Sequence, residues 1–347
     1  MREMTHIRRS AAVSAVLLAA LFLLPLAVVT PFPTAAGHPR PEPTRTQPPT
    51  AETPLPKDEK TENPVLRVLR DGQVTELELN DYLTGVVRAE MPASFELEAL
   101  KAQAVAARTY TLYQLRGGGR HAEADICTDS ACCQAYLDEM AARENWGEQA
   151  EEYAEKTARA VTETDGQTVL YEGEPILAAF HSSSAGLTRP AGEVWSSDLP
   201  YLQAVESREA GEQVPNYYSR LEISAADFRE KALAAFGGAD LSGSPAGWLR
   251  DAVTDAAGNV KTLQLGGVIV RGSQLRSLLG LRSACFTWES GENGLTFFVT
   301  GYGHGVGLSQ YGANQMAKEG ADWQEILRHY YTGVDVGAYP FTNDLSA

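Results

Sequence analysis

Residues 81–110, with the sequence DYLTGVVRAEMPASFELEALKAQAVAARTY, predict two successive α-helices joined by a short turn. Apolar side chains recur at helical spacing in the first part, up to Glu90. Pro92 ends that helix, because the residue before a proline is disfavoured in helical backbone. Ser94 can cap the second helix, whose alanine-rich interior has a strong helix propensity as far as about Leu115.

Short strands and further helices are predicted on either side of this helix pair. Residues 65–79 and 168–180 each have the pattern of a β-hairpin, with an acidic residue and a glycine at the turn. A third helix is predicted over 145–162, and residues 217–299 alternate strands with short helices. Because there is no regular βαβ alternation, we expect a mixed hairpin-and-helix head of the α+β class over residues 65–340.

The N-terminal region predicts a membrane anchor. Residues 11–29 form an apolar run that is just long enough to cross a bilayer core of about 30 Å, and three arginines precede it. This charge distribution predicts a single-pass anchor over residues 1–30, with a cytoplasmic N-terminus and an extracytoplasmic head. A cleaved signal peptide is the alternative, since residues 34–37, TAAG, resemble a processing site.

Residues 31–64 separate this anchor from the head. They are rich in proline, threonine and charged residues and nearly lack large apolar side chains, so they cannot offset the entropy of ordering. We expect a disordered, Pro-rich extracytoplasmic linker. The whole chain carries a formal net charge of -16. This charge disfavours nucleic acid as a partner, and an anionic substrate must therefore meet locally placed cations.

Glu90 is a candidate acid and base. It lies where the first predicted helix ends, so the negative end of the helix dipole and burial against Met91 and Phe95 would both raise its pKa. A carboxyl with a pKa raised toward about 6 can donate a proton to a glycosidic oxygen near neutral pH. The alternative interpretation is a solvated glutamate at a frayed helix end.

Lys101 and Arg108 form a cationic stripe on the second predicted helix. The spacings of four, three and four through Val105 to Leu112 place both cations on one face. Beside a catalytic carboxyl, they could bind an anionic group such as the lactyl carboxylate of muramic acid. A solvated helix face is the other interpretation.

The loop after the second predicted hairpin is a candidate for binding sugars. Its sequence, HSSSAG, contains Ser182 and Ser184, whose hydroxyls can hydrogen-bond to a sugar. Trp195 and Tyr201 follow as candidate stacking platforms for sugar rings. Polar loops with nearby aromatic residues are also common without any ligand, so the pattern alone leaves both interpretations open.

Four glycines between residues 301 and 307 leave the backbone free to approach a ligand closely. Their spacing matches neither a dinucleotide-binding loop nor a P-loop, and no lysine follows nearby, which excludes a nucleotide site. His304 lies among these glycines. It is interpreted either as a partner of the substrate or of Glu90, or as a buried structural hydrogen-bond donor.

The segment from His121 to Cys133 holds three of the four cysteines and supplies the imidazole and thiolate ligands that zinc prefers. Because the vicinal Cys132 and Cys133 cannot easily point at one centre, the expected ligands of a structural zinc ion are His121, Cys127 and Cys133, with a fourth position open. The competing interpretation is a disulfide, because exported proteins meet an oxidising environment.

Four segments of the head resemble the stage II sporulation protein D family of lytic transglycosylases. They are residues 81–110, FHSSSAGLT at 180–188, RGSQLRSLLGLRS at 271–283 and GYGHGVGLSQYGANQMA at 301–317. The resemblance covers nearly the whole head, and its first and last segments are long and specific. The anchor, the linker and the α+β head also match the plan of that family.

This resemblance implies that Glu90 is the sole catalytic carboxyl, which first protonates the leaving oxygen and then helps the muramic C6 hydroxyl to close on C1. The products would be 1,6-anhydromuramic ends, with no water consumed and no cofactor for catalysis. Some members of the family resemble this chain in having the His/Cys cluster, which is consistent with a zinc ion that takes no part in catalysis. The implied cleft residues are Lys101, Arg108, Tyr110, His304, Gln310 and Tyr311.

The resemblance also implies the substrate and the partners. The substrate would be peptidoglycan glycan strands already stripped of stem peptides by a cell-wall amidase. Cleavage would occur within a membrane-held complex, on a membrane scaffold of the machinery that drives engulfment during sporulation. A related branch activates an amidase, and nothing in the sequence excludes that role. A zinc hydrolase, whose chemistry would require the metal, is the third hypothesis.

Overall fold

The computed structural model describes residues 63–195, 197–209 and 211–339. The predicted anchor and nearly all of the predicted linker lie outside these residues. Across the described ranges, no helix is both long and apolar enough to cross a membrane. The described part of the chain combines helices with several small sheets, so the predicted α+β class is confirmed.

The elements of the described residues are labelled in chain order. The α-helices are α1 (Leu79–Glu90), α2 (Leu97–Arg116), α3 (Glu139–Trp146), α4 (Ala150–Thr162), α5 (Ala191–Val194), α6 (Ala225–Ala235), α7 (Gly272–Leu279), α8 (Gln310–Lys318) and α9 (Trp323–Tyr330). The strands are β1 (Val65–Arg70), β2 (Gln73–Glu78), β3 (Ile126–Cys127), β4 (Gln167–Tyr171), β5 (Glu174–Pro175), β6 (Phe180–His181), β7 (Tyr218–Ser224), β8 (Leu249–Thr254), β9 (Val260–Leu265), β10 (Val268–Arg271), β11 (Phe286–Gly291), β12 (Gly294–Thr300), β13 (Leu308–Ser309) and β14 (Asp335–Ala338).

The turn between α1 and α2 forms as the sequence predicts. Met91 has extended backbone, with φ -119° and ψ 142°, as expected for the residue before Pro92. The prediction that Ser94 caps the second helix is wrong. The N-cap is Glu96, which has no side-chain cap bond and instead donates its backbone N–H to Asn314 Oδ1 at 2.8 Å. A residue more than two hundred positions away thus stabilises the start of α2.

Helix α2 is the centre of the larger hydrophobic core. Its alanine-rich run is buried on almost all sides, because α1, α4, α8, α9 and β4 pack around it. Short alanine side chains let these neighbours approach closely. The polar side chains buried with them, including Gln103 and Arg108, must find partners inside the protein.

A second, smaller core is formed by residues between Phe228 and Val299. It packs α6 and α7 against two antiparallel sheets, with the strand orders β10-β9-β8 and β11-β12-β7. We call residues 218–300 the insertion lobe. The lobe separates the serine-containing loop from the glycine-rich segment in the sequence, yet its helix α7 and the end of α1 line one cleft.

The glycine-rich segment packs directly against the serine-containing loop when the chain leaves the insertion lobe. Strand β13 runs parallel to β6, and Ser183 bridges to Tyr302. Gly303 has φ +118°, and a Cβ atom there would lie 2.7 Å from the Cβ of His181. Glycine is required here. The freedom that the glycines provide therefore serves a close approach within the chain as well as any approach to a ligand.

Two of the predicted elements differ from the sequence interpretation in detail. The helix expected over 145–162 is divided into α3 and α4, because Gly147 adopts φ 56° between them. The hairpin expected over 168–180 pairs β4 with only the two-residue strand β5, and β6 pairs with β13 instead. The hairpin expected over 65–79 is confirmed, with β1 and β2 antiparallel.

Candidate active-site cleft

A cleft of about 800 Å³ lies between the end of α1 and the glycine-rich segment. Its lining comes from parts of the chain that are far apart in sequence, and within the described residues Glu90 is its only carboxylate. The walls include Ala89, Glu90, Ser130, residues 132–135, residues 177–182 and residues 302–304, together with Tyr110, Arg120, Trp195, Arg276 and Gln310.

Glu90 is the last residue of α1, and the following turn aims its side chain into the cleft. Burial raises the pKa of this carboxyl, as the sequence predicts, and hydrogen bonds from Ala135 and Gln310 partly oppose the shift. The backbone N–H of Ala135 donates to Glu90 Oε1 at 2.9 Å. The carboxyl is therefore held in a fixed position while its neutral form is favoured.

The predicted cationic stripe does not line the cleft. Lys101 forms ion pairs of 2.8 Å with Glu98 and with Glu163. Arg108 is buried and donates to Asp165 Oδ1 at 2.8 Å. Helical spacing does place both cations on one face, but that face meets carboxylates of the same chain. Their predicted place beside Glu90 is wrong.

The cations that do line the cleft are Arg120 and Arg276. Arg120 is exposed, and its side chain donates to the backbone oxygen of Cys132 at 2.7 Å and to Gln114 Oε1 at 3.4 Å. Arg276 is half-buried on α7. Sequence reasoning missed both. The sequence offered one signal for Arg276. It lies within RGSQLRSLLGLRS, one of the segments that resemble the family, but the resemblance assigns no role to any single residue of that segment.

The two predicted serines occupy different places. Ser182 lines the cleft, and its backbone oxygen accepts the N–H of Tyr311 at 3.0 Å. Ser184 is buried behind it, where its hydroxyl bonds His181 Nε2 at 2.6 Å and its N–H donates to Glu209. The placement of Ser184 as a substrate ligand is thus contradicted, because this hydroxyl supports the cleft wall from behind.

His304 lines the cleft and is half-buried between the rings of Trp195 and His181, at centroid distances of 5.3 and 5.6 Å. Its Nδ1 accepts the backbone N–H of Val306 at 3.1 Å. Burial, and then the nearby charge of Arg276, lower the pKa of His304 to about 4. The imidazole is therefore neutral at pH 7. Both roles considered for it from the sequence are compatible with this position.

The aromatic residues of the cleft are not the pair predicted. Trp195 lines the cleft, but Tyr201 is buried in the larger core, where its hydroxyl accepts the N–H of Leu177 at 3.2 Å. Tyr201 is therefore not a stacking platform. Tyr302 lines the cleft instead: the residue is 44% exposed, and the guanidinium of Arg282 lies 3.8 Å from the centroid of its ring.

The resemblance implies three further cleft residues, Tyr110, Gln310 and Tyr311. Tyr110 and Gln310 line the cleft, and Gln310 Nε2 donates to Gln103 Oε1 at 3.3 Å. Tyr311 does not line it. Its ring packs edge-on against Phe95 at 4.9 Å and faces a neighbouring cavity of about 400 Å³.

The predicted metal ligands converge, and Cys132 joins them. One ligand atom from each of His121, Cys127, Cys132 and Cys133 lies within 4.8 Å of the others. The His121 Nε2 atom is 3.5 Å from Cys132 Sγ and 3.8 Å from Cys133 Sγ, and the two sulfurs are 3.9 Å apart. Tetrahedral zinc with its usual bond lengths needs ligand spacings of about 3.3 to 3.8 Å. The expectation that Cys132 and Cys133 cannot point at one centre is therefore wrong.

The chain is similar to sporulation proteins over most of its length. A family model described as "Stage II sporulation protein" matches residues 70–171. Stage II sporulation protein D of Bacillus subtilis is 37% identical over 277 residues, which cover 79% of this chain and 78% of that protein. Its counterpart in Bacillus amyloliquefaciens is 35% identical over 81% of this chain and 80% of that protein. An amidase enhancer of Bacillus subtilis is 28% identical over 74% of this chain and 40% of its own length.

Proposed function

The chain belongs to the stage II sporulation protein D family, and from that premise we propose that it is a lytic transglycosylase. It cleaves the bond between N-acetylmuramic acid and N-acetylglucosamine in peptide-stripped cell-wall glycan and leaves 1,6-anhydromuramic ends. The family acts in sporulation, so engulfment is the proposed setting. The observation that carries the proposal is a single carboxylate, Glu90, in a cleft that is otherwise free of acidic side chains within the described residues.

The chemistry requires one group that acts first as an acid and then as a base. In its neutral form, which burial favours, Glu90 donates its proton to the glycosidic oxygen as the bond from that oxygen to C1 breaks. The resulting carboxylate then accepts the proton of the muramic C6 hydroxyl while O6 forms a bond to C1. The glutamate returns to its neutral form, and no water is consumed.

A hydrolase is disfavoured by the acidic groups available. Glycosidases that hydrolyse their substrate usually place two carboxyl groups on either side of the bond. The nearby Glu209 accepts hydrogen bonds from Ser184 N–H and from the hydroxyl of Ser309, and it does not line the cleft. Glu209 therefore holds the serine-containing loop against the start of α8.

The other cleft residues fit a sugar polymer. The half-exposed ring of Tyr302 and the half-buried ring of Trp195 can each stack on a pyranose face, and the hydroxyls of Tyr110 and Ser182 can hydrogen-bond to it. Gln310 contacts the Glu90 carboxyl and positions it. These residues form the proposed substrate-binding set.

We also propose that a structural zinc ion binds His121, Cys127, Cys132 and Cys133. Four ligand atoms that lie within 4.8 Å of one another can close around a single ion, and closed four-ligand sites contribute folding energy rather than catalysis. The loop that carries Cys132 and Cys133 continues to Ala135, whose N–H bonds Glu90. When bound, zinc would supply a rigid cross-link for this loop.

We also propose an extracytoplasmic location and two partners. The apolar run at the N-terminus supports a membrane anchor with the head outside the cytoplasm. A cell-wall amidase would supply the peptide-stripped strands, and a membrane scaffold of the engulfment machinery would hold both enzymes. The amidase enhancer among the relatives favours a second candidate function, a non-catalytic activator of an amidase.

The two candidates are separated by assaying the purified full chain on peptide-free glycan and, separately, with a cell-wall amidase on intact peptidoglycan. The transglycosylase releases anhydromuramic fragments, and Glu90→Gln abolishes the release. An activator releases no fragments in either form, and its Glu90→Gln variant still stimulates the amidase. New reducing ends would instead identify a hydrolase.

A further inference from the structure

Arg276 is a half-buried cation that lines the cleft, and no carboxylate of the described residues pairs with it. It projects from α7 of the insertion lobe into the cleft that contains Glu90. Arg108 and Arg189, by comparison, lie beside Asp165 and Asp255 at 2.8 and 3.5 Å. A partly desolvated charge without a counter-charge is costly unless a ligand supplies one.

The groups around Arg276 do not neutralise it. Its Nε donates to the backbone oxygen of Arg282 at 3.3 Å, which leaves the two terminal nitrogens for other acceptors. The neighbouring groups are the ring of Tyr302, the neutral imidazole of His304 and the second guanidinium of Arg189. Burial lowers the pKa of Arg276, yet guanidinium groups stay protonated in proteins.

The chemistry of the proposed substrate supplies the missing counter-charge. Each muramic acid of a peptide-stripped strand has a free lactyl carboxylate, whereas in a peptide-bearing strand that carbonyl is an uncharged amide. A guanidinium can bind a carboxylate through two parallel hydrogen bonds, which an amide cannot match. With a formal net charge of -16 over the chain, a local cation is needed to hold a polyanionic strand.

We propose that Arg276 binds the free lactyl carboxylate of a muramic acid in the cleft and thereby makes the protein selective for peptide-stripped glycan. The inference rests on the proposed function, because it places a glycan strand in the same cleft. Arg276 acts as a specificity-determining residue, distinct from the acid and base Glu90. Arg120 is less suited to this role, because it is exposed and already donates to Gln114 and Cys132.

The test compares two preparations of the same peptide-free glycan. In one the lactyl carboxylates are free, and in the other they are converted to methylamides. Binding is measured with the purified full chain carrying Glu90→Gln, so that no turnover occurs. Three further variants are made in that background: Arg276→Gln, Arg276→Lys and, as a matched control, Arg250→Gln. Arg250 is an exposed arginine on β8 that does not line the cleft.

We expect the parent protein to bind the carboxylate form about 10- to 100-fold more tightly than the amide form. Arg276→Gln should remove this preference by weakening binding of the carboxylate form alone. Arg276→Lys should retain part of the preference, and Arg250→Gln all of it. Equal loss on both glycans, or no loss on either, would overturn the assignment.

The outcome for Arg276 is independent of the outcome for the proposed reaction. If the wild-type protein releases no anhydromuramic ends, the transglycosylase proposal fails, while a charge preference that depends on Arg276 still supports the binding role. If wild-type protein releases such ends but Arg276→Gln keeps the full preference, the inference about Arg276 fails alone. Thermal melting of each variant confirms that a loss of binding is not a loss of fold.

Discussion

Helix α2 and the cleft beside it hold charged side chains in opposite ways. On α2, Lys101 and Arg108 are paired with carboxylates of the same chain. In the cleft, neither Glu90 nor Arg276 forms an ion pair with a side chain of the described residues. The difference teaches that a charge paired within the protein supports the fold, whereas an unpaired and partly buried charge is available for a ligand.

The largest expected effect is on cleavage. Glu90→Gln keeps the size of the side chain and a hydrogen-bond acceptor for Ala135 N–H, but it removes the proton that is transferred. We expect the rate of anhydromuramic release to fall roughly a hundred- to ten-thousand-fold. The matched control is Glu163→Gln, which removes a carboxylate paired with Lys101 and Arg159, and it should leave the rate within about twofold.

For stability, the same comparison predicts that loss of the paired cation Arg108 is more costly than loss of the unpaired cation Arg276. Arg108→Gln removes the ion pair with Asp165, which should lower the free energy of unfolding by about 2 to 3 kcal/mol, since the carboxylate is partly solvated. Arg276→Gln removes no ion pair and should change it by less than about 1 kcal/mol. Denaturant unfolding of both variants measures the difference. A larger loss of unfolding free energy in Arg276→Gln than in Arg108→Gln would contradict the distinction between paired charges on α2 and unpaired charges in the cleft.

Removal of the proposed zinc ion should lower the thermal stability of the protein, while the folded protein should still cleave its substrate. Chelation should lower the melting temperature of the wild-type protein by several degrees, because a closed four-ligand site contributes folding energy. Cys132→Ala should lower the bound zinc content, while Cys285→Ala, outside the cluster, should leave it unchanged. Loss of cleavage at a temperature where the chelated protein is still folded would instead support a zinc hydrolase.

The smallest expected effect is a gain in stability from the same change that stops cleavage. The folded state raises the pKa of Glu90, so the protonated form stabilises the fold, and that stability is lost as the pH rises through the raised pKa. Glu90→Gln should therefore melt at a higher temperature than wild type at neutral pH, by on the order of 2 °C. The gain should disappear below the pKa of an unfolded glutamate. A gain that persists in acid would point to another cause.

The local features of this chain could be predicted from its sequence. Pro92 fixes the end of α1 and thereby the position of Glu90, and the hairpin over 65–79 follows from its turn. Both depend on neighbours within a few residues. The cluster of His121 and the cysteines is also local in the sequence, although the ligand set predicted from it omitted Cys132. Cys132 and Cys133 both donate their N–H to the backbone oxygen of Asp129, and this tight turn aligns their sulfurs.

The remaining site residues depend on contacts between distant segments. Helical spacing puts Lys101 and Arg108 on one face, but Glu163 and Asp165, which pair with them across the core, lie some sixty residues further along the chain. Arg276 and Tyr302 enter the cleft only because the insertion lobe folds back and β13 pairs with β6. One-dimensional spacing contains no information on which face of a helix meets a cleft. The sequence therefore predicted the position of Glu90 more reliably than the positions of the residues around it.

The most direct test of the central claim is the source of the oxygen atom at the new glycan ends. The wild-type protein is incubated with peptide-free glycan in water enriched in heavy oxygen, and the released fragments are weighed by mass spectrometry. Intramolecular attack by the C6 hydroxyl predicts fragments that lack one water and contain no heavy oxygen. Reducing ends that appear only during incubation with the protein and that contain heavy oxygen would contradict the account, because water would then have made the cut.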